Sequence, residues 1–197
     1  MRFWLVLSCL LAACLGSAQT SSVLQAPLSR NEVRSLVKVQ KHVSSKRVAE
    51  LVLECGIDFA PTADDLRILE KTGAKKVVLD AVRSAKQVQE AQAGGVWRAG
   101  QAAGGGKDLI RPAPIYEPEP PYPEMAKRDK VLGTVVLWVA IDAQGRVSDV
   151  RQLSDSLGYG FDESAVNTVR TWKFKPATRK GVPVPARVMV QTSFRLF

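Results

Sequence analysis

Histidine and cysteine are scarce in this sequence. One histidine, His42, and three cysteines, Cys9, Cys14 and Cys55, stand in 197 residues. That inventory supplies neither an ordinary nucleophile–base pair nor a zinc ligand set, so we expect no enzyme activity, no metal and no cofactor. His42 lies beside Lys41 on a charged helix face and reads as a solvated side chain. The acidic pairs Asp64-Asp65 and Asp162-Glu163 fall at helix starts, where carboxylates complement the helix dipole. Concentrated charge is lacking too. The formal net charge is +9, but residues 19–92 hold 12 Lys and Arg against 9 Asp and Glu, and residues 114–197 hold the same 12 against 9. A nucleic-acid partner is not expected from a charge this evenly spread. With 46% hydrophobic and 24% charged residues, the chain has the composition of a globular protein rather than a disordered or multi-span one.

Long apolar runs are also missing. The longest is at the N-terminus, from Phe3 to Ala18 behind Met1-Arg2, and as a helix it spans roughly 24 Å against a hydrocarbon core of about 30 Å. A basic start, a short apolar stretch and a small-residue exit describe an export signal over residues 1–18. Two processing routes are open. Gly16-Ser17-Ala18 suits cleavage before Gln19, giving a soluble product. Leu11-Ala12-Ala13-Cys14 resembles a lipobox, which would lipidate Cys14 and anchor the chain. Retention as an inner-membrane anchor is the third, less favoured route. In either processed form Cys55 is the one remaining thiol, so no intrachain disulfide forms. Its spacing with Val48, Leu51 and Val52 places it on a buried helix face.

The rest divides into three. Residues 28–92 carry the period and caps of four short helices. Ser29-x-x-Glu32 and Thr62-x-x-Asp65 are capping boxes, Ser45 is a candidate cap, and Gly56 and Gly73 are stops. These predict two packed helical hairpins, a small all-α module with no catalytic constellation. Residues 93–121 read as a linker, Gly-rich first and then Pro-rich and extended. Residues 122–197 switch to strand period. Val135 to Ile141 is apolar on both faces and therefore central, and Asp142-Ala143-Gln144-Gly145 is a turn returning through Arg146–Leu153. Asp162 caps a helix to Trp172. A last strand over Arg187–Phe197 alternates apolar Val188, Val190, Thr192, Phe194 and Leu196 with polar Arg187, Gln191, Ser193 and Arg195. The fold class expected is α+β, with a small antiparallel sheet and one packed helix.

Tyr122-Pro123-x-x-Ala126, Gly133-x-Val135, Asp142-x-x-Gly145-x-Val147, Ala165 with Val169, Trp172-x-Phe174-x-Pro176-Ala177 and Gly181-x-Pro183-Val184 stand in order. In this register the region from about 114 to 197 resembles the TonB C-terminal domain. The resemblance implies a periplasmic, cell-envelope protein that captures the TonB box, an extended segment of outer-membrane transporters, as a strand added beside the last strand. It would so take part in energy-dependent transport. It carries the binding role to Arg187, Val188, Met189, Val190, Gln191, Thr192 and Ser193, and to the approach segment Glu119-Pro120-Pro121-Tyr122-Pro123. The family often has Gln where Glu119 stands. A strand with one wet face and unpaired backbone groups is a template for such addition.

The residues also admit plainer roles. Trp172, Phe174 and Pro176 suit a core corner, and Tyr122-Pro123 either locks the chain before a short helix at Glu124–Lys130 or faces the partner. Arg187 and Arg195 either contact the partner or guard the sheet edge with charge. The transducers of the family carry a true membrane anchor, so inner-membrane proton-driven motor proteins enter as partners only if the N-terminus is retained. The alternative is a non-energised envelope adaptor or structural lipoprotein using the same domain on another partner. The same edge also admits a strand-exchanged homodimer.

Overall fold

The computed structural model describes residues 23–87, 97–98 and 109–196. The export signal, its lipobox and Cys14 lie outside the described residues, as does most of the Gln/Ala stretch after the fourth helix.

Four helices open the fold: α1 (Arg30–Lys38), α2 (Ser45–Cys55), α3 (Ala63–Lys71) and α4 (Lys76–Ser84). Both expected capping boxes form. The Ser29 side chain accepts from the Glu32 amide while Glu32 accepts from the Ser29 amide, and Thr62 and Asp65 do the same for α3. Each pair satisfies two of the amides that a helix start leaves without partners. The cap of α2 is Ser44, whose side chain accepts from Arg47, while Ser45 is the first helical residue. Gly56 ends α2 at φ 72° and Gly73 follows α3 at φ 103°. The helices bury Val33, Leu36, Val37, Val48, Leu51, Val52, Val78 and Val82 against one another. Short parallel bridges from Ile57 to Leu28 and to Gln87 tie the ends of the module together.

The strands are β1 (Trp97–Arg98), β2 (Leu109–Ile110), β3 (Ala113–Tyr116), β4 (Gly133–Ile141), β5 (Val147–Gln152), β6 (Lys173–Lys175), β7 (Ala177–Arg179), β8 (Val182–Val184) and β9 (Ala186–Phe194). Two helices lie among them, α5 (Glu124–Arg128) and α6 (Phe161–Val169). The main sheet runs β1-β9-β4-β5, with a three-stranded sheet β2-β7-β8 and a two-stranded sheet β3-β6 beside it. β4 lies between β9 and β5, as its two apolar faces require, and is antiparallel to both. The β4–β5 turn fits as the sequence indicates. Gly145 sits at φ 83°, and a Cβ there would fall 1.9 Å from the Phe174 carbonyl oxygen, so a side chain has no room. Asp142 Oδ1 accepts from the amides of Gln144 and Arg146.

Asp162 is not the cap of α6. Gly160 holds that position with φ 83°, and the Asp162 carboxylate instead reaches back to the amide of Leu157 at 3.1 Å and the Gln152 side chain at 2.8 Å. It pins the preceding loop, which no cap rule foresees.

The sheet is covered on both faces. On one, α6 packs Phe161, Ala165 and Val169 over Val135, Leu137, Val139 and Ile141. On the other, Val136, Trp138, Ala140 and Leu153 join one continuous core with the helices α1 to α4. The alternation of β4 thus feeds two cores, and the helical module is the second layer of the sandwich. Polar ties cross the seam: Arg151 pairs with Glu54, and the Ser44 hydroxyl donates to Asp155 at 3.4 Å.

Candidate binding edge and groove

β9 positions most of the residues expected to bind a partner, and its alternation sends them to different surroundings. Val188 and Val190 pack toward α6, and Met189 packs toward the helical module. Gln191 and Ser193 are exposed. Thr192 is only 6% exposed, and its hydroxyl has no hydrogen-bond partner among the described residues. The face carrying Arg187 and Met189 is therefore not wet, because the module covers its first half.

Arg187 is the main correction. Neither a solvated edge charge nor a side chain free for a partner, it is 1% exposed and wrapped by the N-terminal part of the chain. Nε and Nη2 donate to Glu32 Oε1 at 3.0 and 2.8 Å. Nη1 donates to the carbonyls of Leu24 at 3.1 Å and Ala26 at 2.8 Å. The guanidinium lies 4.6 Å over the ring of Trp138. Glu32 Oε2 meanwhile keeps the capping bonds to Ser29. Every strong group in the cluster has a partner, which is the condition under which a buried ion pair is tolerated. Sequence reading missed Glu32 because its capping role already accounted for it; no local signal points to a partner 155 positions away.

The approach segment lies across the C-terminal half of β9. Trp172 Nε1 donates to the Pro118 carbonyl at 3.1 Å, and the Ser164 hydroxyl donates to that of Pro121 at 2.6 Å. Tyr122 donates its hydroxyl to the Val131 carbonyl and stands edge-on to Phe161 and Phe194, with ring centres 5.7 and 5.9 Å apart. Its ring thus locks the chain before α5. Trp172 and Phe174 form the expected core corner, both 6% exposed. A groove of about 710 Å³ remains between this segment and β9. Glu119, Tyr122, Gln191, Thr192 and Ser193, named from the sequence, all line it, together with Glu117, Trp172 and Arg195. Pro123 is the N-cap of α5, outside the groove lining.

One strand already uses the β9 edge. β1 pairs with it in parallel, Trp97 opposite Ala186 and Arg98 opposite Arg187. From Val188 onward, β9 has no strand on that side among the described residues.

Among the described residues no group of three His, Cys, Asp or Glu could hold a metal ion, and no helix is long and apolar enough to cross a membrane. The arrangement defines a class: a small α+β domain whose terminal strand, among the described residues, has no strand neighbour on one side beyond Arg187 and runs next to a groove. Residues 118–196 match the family "Gram-negative bacterial TonB protein C-terminal". The chain is 36% identical over 78 residues to Protein TonB of Vibrio cholerae, covering 40% of this chain and 32% of that protein. It is 38% identical over 77 residues to Protein TonB of Xanthomonas campestris pv. campestris, covering 39% of this chain and 34% of that one. This chain thus spans about a third of the length of these curated relatives. A solution NMR structure of the Pseudomonas aeruginosa TonB C-terminal domain aligns at 23% identity and a TM-score of 0.35, over 47% of this chain and 93% of that one. The match to the TonB C-terminal family thus falls on the α+β part of this chain, residues 118–196.

Proposed function

We propose that this protein is a TonB-like component of the cell envelope that captures an extended segment of a partner by strand addition to β9. The partners that fit are outer-membrane TonB-dependent transporters, and the captured segment is their TonB box. The observation that carries the reading is the state of the β9 edge. It accepts a parallel strand at Ala186 and Arg187, and among the described residues its next positions have no strand neighbour. Backbone hydrogen bonds along such an edge supply affinity with little demand on sequence, while adjacent pockets select side chains. Arg187 acts from behind the strand, holding β9 against the helices. Val188 to Ser193 supply the edge. The role is one of binding, and any energy for transport is transmitted through it rather than generated there.

The test is an NMR titration of the full chain with TonB-box peptides from the host's own transporters. Shift changes and new slow-exchanging amides at Val188–Ser193, with Arg187 unmoved, are the expected result. No change at saturating peptide would sink the reading.

A further inference from the structure

The groove beside β9 has a chemical character of its own. Its wall carries Glu117 and Glu119, both exposed. Neither forms an ion pair among the described residues, unlike Glu50, Glu54 and Asp80. Arg195, just past the end of β9, is the one cation among the described residues of the lining, which are net negative. Tyr122 and Trp172 give the groove aromatic edges, which suit the methylene stem of a long charged side chain. Thr192 also lines the groove, and its buried hydroxyl has no hydrogen-bond partner among the described residues. Native proteins seldom leave such a group unsatisfied, and a polar group arriving with a ligand would relieve it.

We propose that this groove is a side-chain subsite that selects a basic residue, Lys or Arg, in the segment captured by β9. The proposal rests on the strand-capture reading above. The sense of β1 fixes where the basic residue lies. A segment running parallel to β9, as β1 does, brings its own C-terminal half alongside Gln191–Phe194 and so past Glu117 and Glu119. The occupant is therefore an extended segment of a second protein, strand-forming along its length and basic in its C-terminal half. Electrostatic matching of this kind sets the choice among partners more than it sets total affinity.

The experiment uses the full chain and short capped peptides of alternating Thr and Val. Each carries a single Lys in its C-terminal half, with Glu and norleucine counterparts, and binding is measured at low and high salt. The Lys peptide is expected to bind roughly fivefold tighter than the Glu peptide at low salt, as exposed pairs of opposite and like charge dictate. High salt, or the double substitution Glu117→Gln and Glu119→Gln, should erase that ratio without abolishing binding. Equal binding of all peptides overturns the subsite and leaves strand capture standing. No binding by any peptide overturns both. Binding seen only after Trp97→Gly and Arg98→Gly assigns the edge to the chain's own β1 and overturns the proposal.

Discussion

Replacing Glu32 with alanine tests whether the helices and the sheet are one folding unit. The substitution leaves the Arg187 guanidinium buried among carbonyls with no countercharge. Breaking a buried pair from one side costs about 3–5 kcal/mol. The same change removes the acceptor for the Ser29 amide, and loss of half a capping box adds about 1 kcal/mol. Together these approach the whole stability of a small domain, about 5–15 kcal/mol. The companion change, Arg187→Met, strips a donor from the Leu24 and Ala26 carbonyls and leaves Glu32 uncompensated, so it should cost at least as much. Combining Glu32→Ala with Arg187→Met removes both charges together. A coupling of at least about 2 kcal/mol should then reappear as a double mutant better than the sum of its parts. The assay is urea unfolding of the full chain, followed by tryptophan fluorescence and far-ultraviolet circular dichroism in parallel. Wild type should unfold in one coincident transition. A Glu32→Ala loss below about 1 kcal/mol, or strictly additive single changes, would refute the weld.

Two further outcomes follow from the same architecture. A fragment of residues 114–197 would bare Val136, Trp138, Ala140 and Leu153, which the helices cover, and would leave Arg187 without its carboxylate. It is expected to self-associate and bind hydrophobic dyes, which sedimentation and dye fluorescence would read; a dye-silent monomer would contradict the two-faced core. Burial pushes the Cys55 pKa up, against a smaller pull downward from Arg187 and Arg151. The folded state keeps this thiol's proton after the unfolded chain has lost its own. The stabilising contribution is therefore present below the ordinary thiol pKa and fades as pH rises toward the raised value. Thiol reagents should label Cys55 at mildly alkaline pH only at the rate of unfolding, and Cys55→Ala should flatten the alkaline decline in stability; rapid native-state labelling would refute its burial.

Local chemistry was legible because it is local. Ser29 with Glu32 and Thr62 with Asp65 act across one helical turn, and Gly145 answers to the positive φ of its own turn. The two apolar faces of β4 announced a central strand, and six spaced motifs marked residues 114–197 as resembling a TonB C-terminal domain. Even there the cap of α6 went to Gly160, since Asp162 found better partners in the loop behind it. What sequence could not supply was which surface covers which. Periodicity says that Trp138 and Val136 are buried without saying by what, and alternation in β9 is the same whether its polar face meets water or a helix. Only the tertiary structure put Glu32 beside Arg187, turning an apparent edge charge into the bolt between helices and sheet. It also laid β1 on the edge and the acidic segment across the groove. Such pairings are set by the packing of two amphipathic layers in three dimensions, and their energy resides in contacts between positions far apart along the chain.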